Sequence, residues 1–394
     1  MEEPEAGCRG GAEAVLNLKP NSSISIAYHS LFGPHDDLIL LELDEKLLPD
    51  ILHNRVTVRG KPDEEAVLCT QSKTYALKFV GTSNSVFLIP PSNRSELNLN
   101  SDEGNGTVDD KPVVAPVIKV APGNMEIVEV APRIDKLKLL LSENPYRPEE
   151  EVEMEEKKDK EGLFRWDDLV NRVQASDEEL MTGLRALSAV EIDGYWRIVD
   201  EKYMDIVLSM LLHNSVLNGW SLNALRENEV VGVLVADEFP CRIALHCLEM
   251  YGSKMDEDMG EDCLWKLDEK RVCLHFARGV LRGEKRKMES FMEEWMQKIP
   301  AGMQASFDML EGEVLIERVG VETWVHAFSI SSLPSNPAER FSVLFRERSK
   351  WEWKDLQPYI RNLRVPGLSS EGLLLKYTRK TQPTLDAEPV FSAR

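Results

Sequence analysis

Cys241, Cys247, Cys263, Cys273 and His275 gather five potential zinc ligands into one stretch of the chain. Thiolates and an imidazole would support a structural metal site. Their spacing argues against one, because the tight Cys-x-x-Cys knuckles of such sites are absent. Cys241 and Cys247 also fall in an apolar helical pattern with Ile243, Ala244, Leu245 and Leu248, where a thiol packs as a small hydrophobe. No metal is expected.

Acid–base and nucleophilic chemistry fare no better. The seven histidines are scattered, and none lies four residues from another on a helix. His213, His246 and His275 sit in apolar helical patterns, where packed histidines are commoner than ligands. The paired carboxylates Asp36-Asp37, Asp109-Asp110 and Asp167-Asp168 fall in predicted loops or at helix starts, where acids oppose the positive helix end. No GxxxxGK[ST] loop, GxGxxG turn, HExxH or GxSxG is present. Neither catalysis nor a cofactor is expected.

One charge feature runs against the whole. The chain carries a formal charge of −21, which excludes a wholly basic nucleic-acid coat. Yet between Arg340 and Lys380 ten basic residues face only four acids, Glu347, Glu352, Asp355 and Glu371. Arg346, Arg348, Lys350, Lys354, Arg361, Arg364, Lys376, Arg379 and Lys380 are the candidate contacts for DNA phosphates. Trp351 and Trp353 interleave with them. The competing reading is a set of solvated helix faces around two core tryptophans. Arg282 to Lys287 reads as an exposed turn between domains.

The elements that must carry these residues divide in two. All eight tryptophans lie after residue 165, so the two parts have different cores. Between them, residues 149–161 hold eight acids and three bases, a composition that cannot bury surface. In front, short runs from Ser23 to Tyr28, Leu38 to Leu43, Arg55 to Arg59, Ala66 to Thr70, Thr74 to Val80, Val86 to Ile89, Val113 to Val120 and Met125 to Val130 read as strands. Turns are expected at Gly33-Pro34, Gly60 to Asp63 and Gly81 to Asn84. About eight antiparallel strands imply a barrel-like domain.

Behind the acidic run, Trp166 to Val173 has helical spacing, and Ser176 with Glu179 forms a capping box for the next helix. Val190 to Ile192, the Asp193-Gly194 turn and Tyr195 to Val199 follow as a hairpin. Helix, turn, helix and hairpin is the order of a winged-helix unit. Helices are expected again at Phe239 to Tyr251, Val272 to Leu281, Glu289 to Ile299, Met303 to Leu310, Arg340 to Arg348, Trp353 to Asn362 and Glu371 to Tyr377. The fold class is therefore α+β multidomain: a disordered N-terminus (1–20), an antiparallel β-rich domain (21–148), an acidic linker (149–162) and three tandem winged helices (163–220, 221–287, 288–394). At 394 residues, 42% hydrophobic and 29% charged, the chain has ample length for several cores. No run reaches the ~18 apolar residues of a membrane span. The acidic start lacks the basic and apolar regions of a secretory leader, so none is expected. The cysteines are accordingly expected to stay reduced.

The blocks from Val58 to Pro90 (VRG…DEEAVLCT…KTYALKF…TSN…FLIP), Lys136 to Tyr146 (KLKLLLSENPY) and Ser176 to Asp200 (SDEELMTGLRAL…IDGYWRIVD) have a recognisable order. With ERFSVLF (Glu339 to Phe345), KWEWKDLQPYI (Lys350 to Ile360) and LLLKYT (Leu373 to Thr378), the chain resembles the Dcc family of sister chromatid cohesion proteins. The resemblance implies a non-catalytic subunit of the alternative replication factor C complex, which loads or unloads the PCNA clamp at replication forks. It implies that the front domain joins two cohesion-type loader subunits, with the replication factor C small subunits and PCNA as indirect partners. The C-terminal winged helices would meet DNA and the catalytic subunit of DNA polymerase epsilon, the latter at the first winged unit. A nuclear, chromatin-associated place follows. A scaffold that uses winged helices only for protein contacts, and a stand-alone DNA-binding regulator, are the competing readings. The mostly acidic helix after Ser176 is a poor base-reading surface for the regulator.

Overall fold

The computed structural model describes residues 24–89, 113–148, 162–255, 263–363, 365, 367–382, 384 and 387–394. The expected disordered start, the polar loop from Pro91 and the acidic linker lie outside them. The chain is mixed α+β and forms two compact units, Met1–Asn54 with Tyr75–Val128, and Arg55–Thr74 with Glu129–Arg394. The segment Arg55–Thr74, read from sequence as part of the front domain, thus groups with the helical unit. Among the described residues no helix is long and apolar enough to cross a membrane.

The first elements are β1 (Ile24–Tyr28), β2 (Leu41–Glu42), α1 (Leu48–His53), β3 (Thr57–Arg59), β4 (Val67–Cys69), β5 (Thr74–Leu88), β6 (Val113–Val117) and β7 (Lys119–Glu129). In the first unit β1 pairs with β6, from Ile24↔Val113 to Tyr28↔Val117, and β2 pairs with β7 at Leu41↔Met125. Both pairings are parallel, which corrects the antiparallel expectation. The paired strands are far apart in sequence, so no tight hairpin fixes their direction, and a long connection permits the parallel ladder. Gly81 to Asn84, expected as a turn, lies inside the continuous strand β5. Strand β7 runs beside it, and a Cβ on Gly123 would collide with the Val80 carbonyl oxygen, so only glycine allows the approach.

In the second unit β3 and β4 form an antiparallel hairpin, Thr57↔Cys69 to Arg59↔Val67. One order of elements then recurs four times: helix, short strand, two helices, and two strands of which the last lies between the others. The first repeat has α2 (Ile134–Glu143), an antiparallel bridge from Phe164 to Trp196, α3 (Trp166–Arg172), α4 (Asp177–Ala186), β8 (Val190–Ile192) and β9 (Tyr195–Arg197). The second has α5 (Glu201–Leu217), β10 (Leu225–Arg226), α6 (Glu227–Ala236), α7 (Cys241–Tyr251), β11 (Gly252–Lys254) and β12 (Leu264–Leu267), with sheet order β10-β12-β11.

The third has α8 (Glu269–Val280), β13 (Arg286–Lys287), α9 (Met288–Lys298), a 3-10 turn (Phe307–Leu310), β14 (Val314–Val319) and β15 (Glu322–Ala327), in order β13-β15-β14. The fourth has α10 (Pro337–Glu347), β16 (Lys350–Glu352), α11 (Trp353–Ile360), α12 (Ser370–Tyr377), β17 (Thr378–Thr381) and β18 (Val390–Ala393), in order β16-β18-β17. The helix expected at Met303 to Leu310 shrinks to the 3-10 turn, and the third unit expected from sequence (288–394) spans most of the third repeat and all of the fourth.

Local signals account for the repeat ends. The Ser176 side chain accepts from Glu179 N–H while the Glu179 carboxylate accepts from Ser176 N–H, closing the capping box. Ser369 accepts from Gly372 N–H at 3.1 Å at the matching helix of the fourth repeat. Asp193 and Gly194 take left-handed φ values of 51° and 83°, as a two-residue hairpin turn requires. Three buried clusters serve the four repeats. Leu137, Leu169, Leu180 and Leu184 centre the first, Trp351, Leu344, Leu356 and Phe391 centre the last, and the middle two repeats share one around Leu208, Cys247, Phe291 and Trp295.

Candidate nucleic-acid interface

The basic run lies on the fourth repeat, and its members divide by what holds them. Arg340, on α10, is 4% exposed and belongs to the core. It donates to Pro334 O at 2.6 Å, Tyr359 O at 3.1 Å and Asn362 Oδ1 at 2.5 Å. Burial lowers its pKa, opposed by Asp135. Arg348 is half-buried, pairs with Asp355 at 2.8 Å, donates to Ile316 O at 2.7 Å and stacks on the Trp351 ring. Lys354 is exposed but bridges Glu352 at 2.8 Å and Glu388 at 3.6 Å, and the Glu352 hydrogen bond raises its pKa. Arg361 reaches Glu311 at 3.6 Å. Arg364 lies outside the described residues.

The remaining cations are more available. Arg346, Lys350, Arg379 and Lys380 are exposed and make no ion pair among the described residues, and Lys376 sits over the Tyr377 ring. The sheet register orders two of them. Lys350 and Arg379 both pair with Ser392, so they share one row across the three-stranded sheet. Strand spacing puts their backbones about 10 Å apart on one face. In the next row Trp351 and Phe391 turn to the opposite face and are buried, so alternation alone aims Lys350 and Arg379 outward. Trp351 is fully buried and donates its indole N–H to Leu344 O, which removes it from any base-stacking role. The sequence run did not separate this row from the paired cations; the register does.

The second basic run is matched locally. Arg282 meets Glu201 at 3.4 Å, Lys285 meets Glu317 at 2.6 Å, Arg286 meets Glu294 at 2.5 Å and Lys287 meets Glu322 at 2.5 Å. Its last two residues form β13 rather than an open turn. Three of the thiols are held away from the thiolate form: burial pushes Cys273 up to about 11 and raises Cys69 and Cys247 as well. Among the described residues no cluster of histidines, cysteines and carboxylates has the arrangement of a metal site. Asp167 and Asp168 stand in the first turn of α3, where Asp168 accepts from Arg165 N–H at 2.9 Å.

The first unit carries a different surface. Tyr28, Leu31, Phe32, Ile39, Leu52 and Phe79 are all exposed, Tyr28 at 75%. Tyr28 and Phe32 pack ring to ring at 4.3 Å. Among the described residues strand β1 pairs with β6 alone in a two-stranded sheet, which leaves strand edges without a partner there.

Comparison with known proteins bears on this arrangement. The family model for sister chromatid cohesion protein Dcc1 matches residues 38–360. The chain belongs to the sister chromatid cohesion protein Dcc1 family. It is 33% identical to human sister chromatid cohesion protein DCC1 over 385 residues, covering 95% of each chain. The Xenopus tropicalis DCC1 protein is 33% identical over 349 residues, 88% of this chain and 86% of that one. A probable DCC1 protein of Dictyostelium discoideum is 27% identical over 371 residues, 88% and 91% of the two chains. The Dcc1 match takes in residues of both compact units, from the β-rich first through the first three repeats of the second, and ends within the fourth at α11.

Proposed function

We propose that this chain is a non-catalytic subunit of an alternative replication factor C clamp loader, acting on the PCNA clamp at replication forks in support of cohesion. The exposed apolar side chains and open strand edges of the first unit carry this reading. Such a surface fits the completion of a β-sheet module, barrel-like in the assembly, by two cohesion-type loader subunits. The replication factor C small subunits and PCNA are reached through those partners. We read the four repeats, each a helix, a short strand, two helical segments and two strands, as winged helices. The fourth turns Lys350 and Arg379 to solvent and serves as the DNA-contacting unit, with Arg346, Lys376 and Lys380 as further exposed cations of the same repeat. The stretch from Trp166 to Asp200, which holds the later elements of the first repeat, meets the catalytic subunit of DNA polymerase epsilon. ATP is hydrolysed elsewhere in the assembly, consistent with a sequence that lacks a phosphate loop. The protein works on chromatin in the nucleus.

Tagged purification from dividing nuclei, with partner stoichiometry measured at two salt concentrations, tests the reading. Replication factor C small subunits and two cohesion-type subunits near one-to-one, retained at the higher salt, are expected. Recovery of the chain alone, or with a transcription or ubiquitin-ligase assembly, would refute it.

A further inference from the structure

A cleft of about 380 Å³ opens where the first three repeats meet. Arg185 comes from the last turn of α4 and Ser188 from just after it, Glu249 and Tyr251 come from the end of α7, and Arg271 and Arg278 come from α8. The spacing explains the α8 contribution. Positions 271, 275 and 278 stand i, i+4 and i+7 apart and so share one helix face.

The guanidinium groups are held in place without being used up. Arg271 donates through Nη1 to Gly252 O at 3.1 Å and Met250 O at 3.4 Å, closing the end of α7. Arg278 donates through Nε and Nη2 to one Glu313 oxygen, at 3.2 and 2.8 Å. An arginine fork carries five N–H donors, so both keep donors to spare. Arg185 is exposed, and its guanidinium makes no hydrogen bond or ion pair among the described residues. The single carboxylate lining the cleft, Glu249, is already held by Arg242 at 3.1 Å and by His246 Nδ1 at 3.5 Å. His275 lines the floor with both ring nitrogens engaged, by Tyr251 Oη at 2.8 Å and Asp205 Oδ1 at 2.9 Å. The cleft is therefore cationic in a chain of charge −21.

We propose that this cleft binds a phosphate monoester carried by a serine or threonine of a partner protein. A phosphorylated side chain brings about −1.5 to −2 charges and three acceptor oxygens at neutral pH. Planar guanidinium forks meet such oxygens in bidentate pairs. A duplex fits less well. Its charge is extended over many phosphates, whereas the three arginines line a single recess flanked by Asp268 and Glu313. The reading does not depend on the clamp-loader assignment, since it rests on the cleft alone.

The test is calorimetric titration of the full chain, at low salt, with O-phosphoserine, serine, inorganic phosphate and a duplex oligonucleotide. Saturable O-phosphoserine binding is expected, with none for serine. Arg185→Gln should weaken it about fivefold or more through the lost fork. That variant removes an exposed, unbonded side chain and keeps the fold, which a matching thermal melt verifies. Arg278→Gln should weaken binding further. Three results overturn the proposal: no saturable O-phosphoserine binding, affinity unchanged in Arg185→Gln, or phosphate bound as tightly as O-phosphoserine. Duplex binding that falls in step with the two variants would assign the cleft to nucleic acid instead.

Discussion

The Thr74 hydroxyl donates to the Glu179 carboxylate at 2.6 Å across 105 positions of sequence. The same hydroxyl accepts from Ser176 N–H at 2.9 Å, so Thr74 completes the capping box at the start of α4. Beside it the buried guanidinium of Arg59 donates to Ala175 O and Asp177. Together they fasten the β3–β4 hairpin to the first repeat, which is why Arg55–Thr74 divides from its neighbours in sequence. Replacing Thr74 with valine keeps the shape and removes the hydroxyl. Denaturant unfolding should show a loss of about 1–2 kcal/mol, and an unchanged midpoint would contradict this role.

Arg340 predicts a sharper effect. Truncation to methionine leaves the carbonyls of Pro334 and Tyr359 without their donor in the core of the fourth repeat. A loss of about 2–4 kcal/mol is expected by thermal or denaturant melting. Lysine should not restore it, because an ammonium cannot span three acceptors set out for a fork. Full stability in Arg340→Met would place this residue outside the core network.

These two residues show what the sequence made legible and what it left hidden. The cap at Ser176 and Glu179, the Asp193-Gly194 turn and most helices of the repeats are written in local patterns, and the structure has them. Thr74 and Arg59 were invisible as partners of that cap, because contacts over a hundred residues leave no periodic trace. The same holds for the parallel pairing of β1 with β6. Gly81 to Asn84 has turn chemistry yet lies in a strand, since pairing beside Gly123 overrides local preference. In the basic run, charge alone could not tell a core arginine from an outward one; the Lys350–Ser392–Arg379 row needed the sheet register.

That row makes the electrostatic prediction. Changing Lys350 and Arg379 together to glutamine should weaken duplex binding and flatten its salt dependence. The slope of log affinity against log salt falls by about 0.9 for each phosphate that is no longer neutralised. Arg361→Gln, by contrast, should act weakly, because its surface pair with Glu311 already competes for the cation. Equal slopes for the parent and the twofold variant, measured by fluorescence anisotropy, would remove this face from DNA binding.

Two groups of the second and third repeats contribute to the acid limb of stability. Burial pushes the His275 imidazole below its usual 6.5, against the pull of Asp205. The folded chain therefore binds that proton less readily than the unfolded chain, so stability declines as pH falls below about 6.5. A hydrogen bond from His246, then one from Arg242, holds Glu249 below its usual 4.5, against burial. Its contribution is present above that value and is lost as pH falls through the folded-state pKa. His275→Gln should flatten the upper part of the limb and Glu249→Gln the lower. A curve of unfolding free energy against pH with the parent shape in both variants would contradict this assignment.

The partner-binding role of the first unit is tested most directly by charge placed on its exposed apolar face. Tyr28→Asp, Leu31→Asp and Ile39→Asp, made together in the full chain, change side chains already in water and leave the fourth repeat untouched. Quantitative co-purification from dividing nuclei should then show the clamp-loader partners reduced at least tenfold, with duplex binding by the purified chain unchanged. Partners retained at parental stoichiometry would contradict the account.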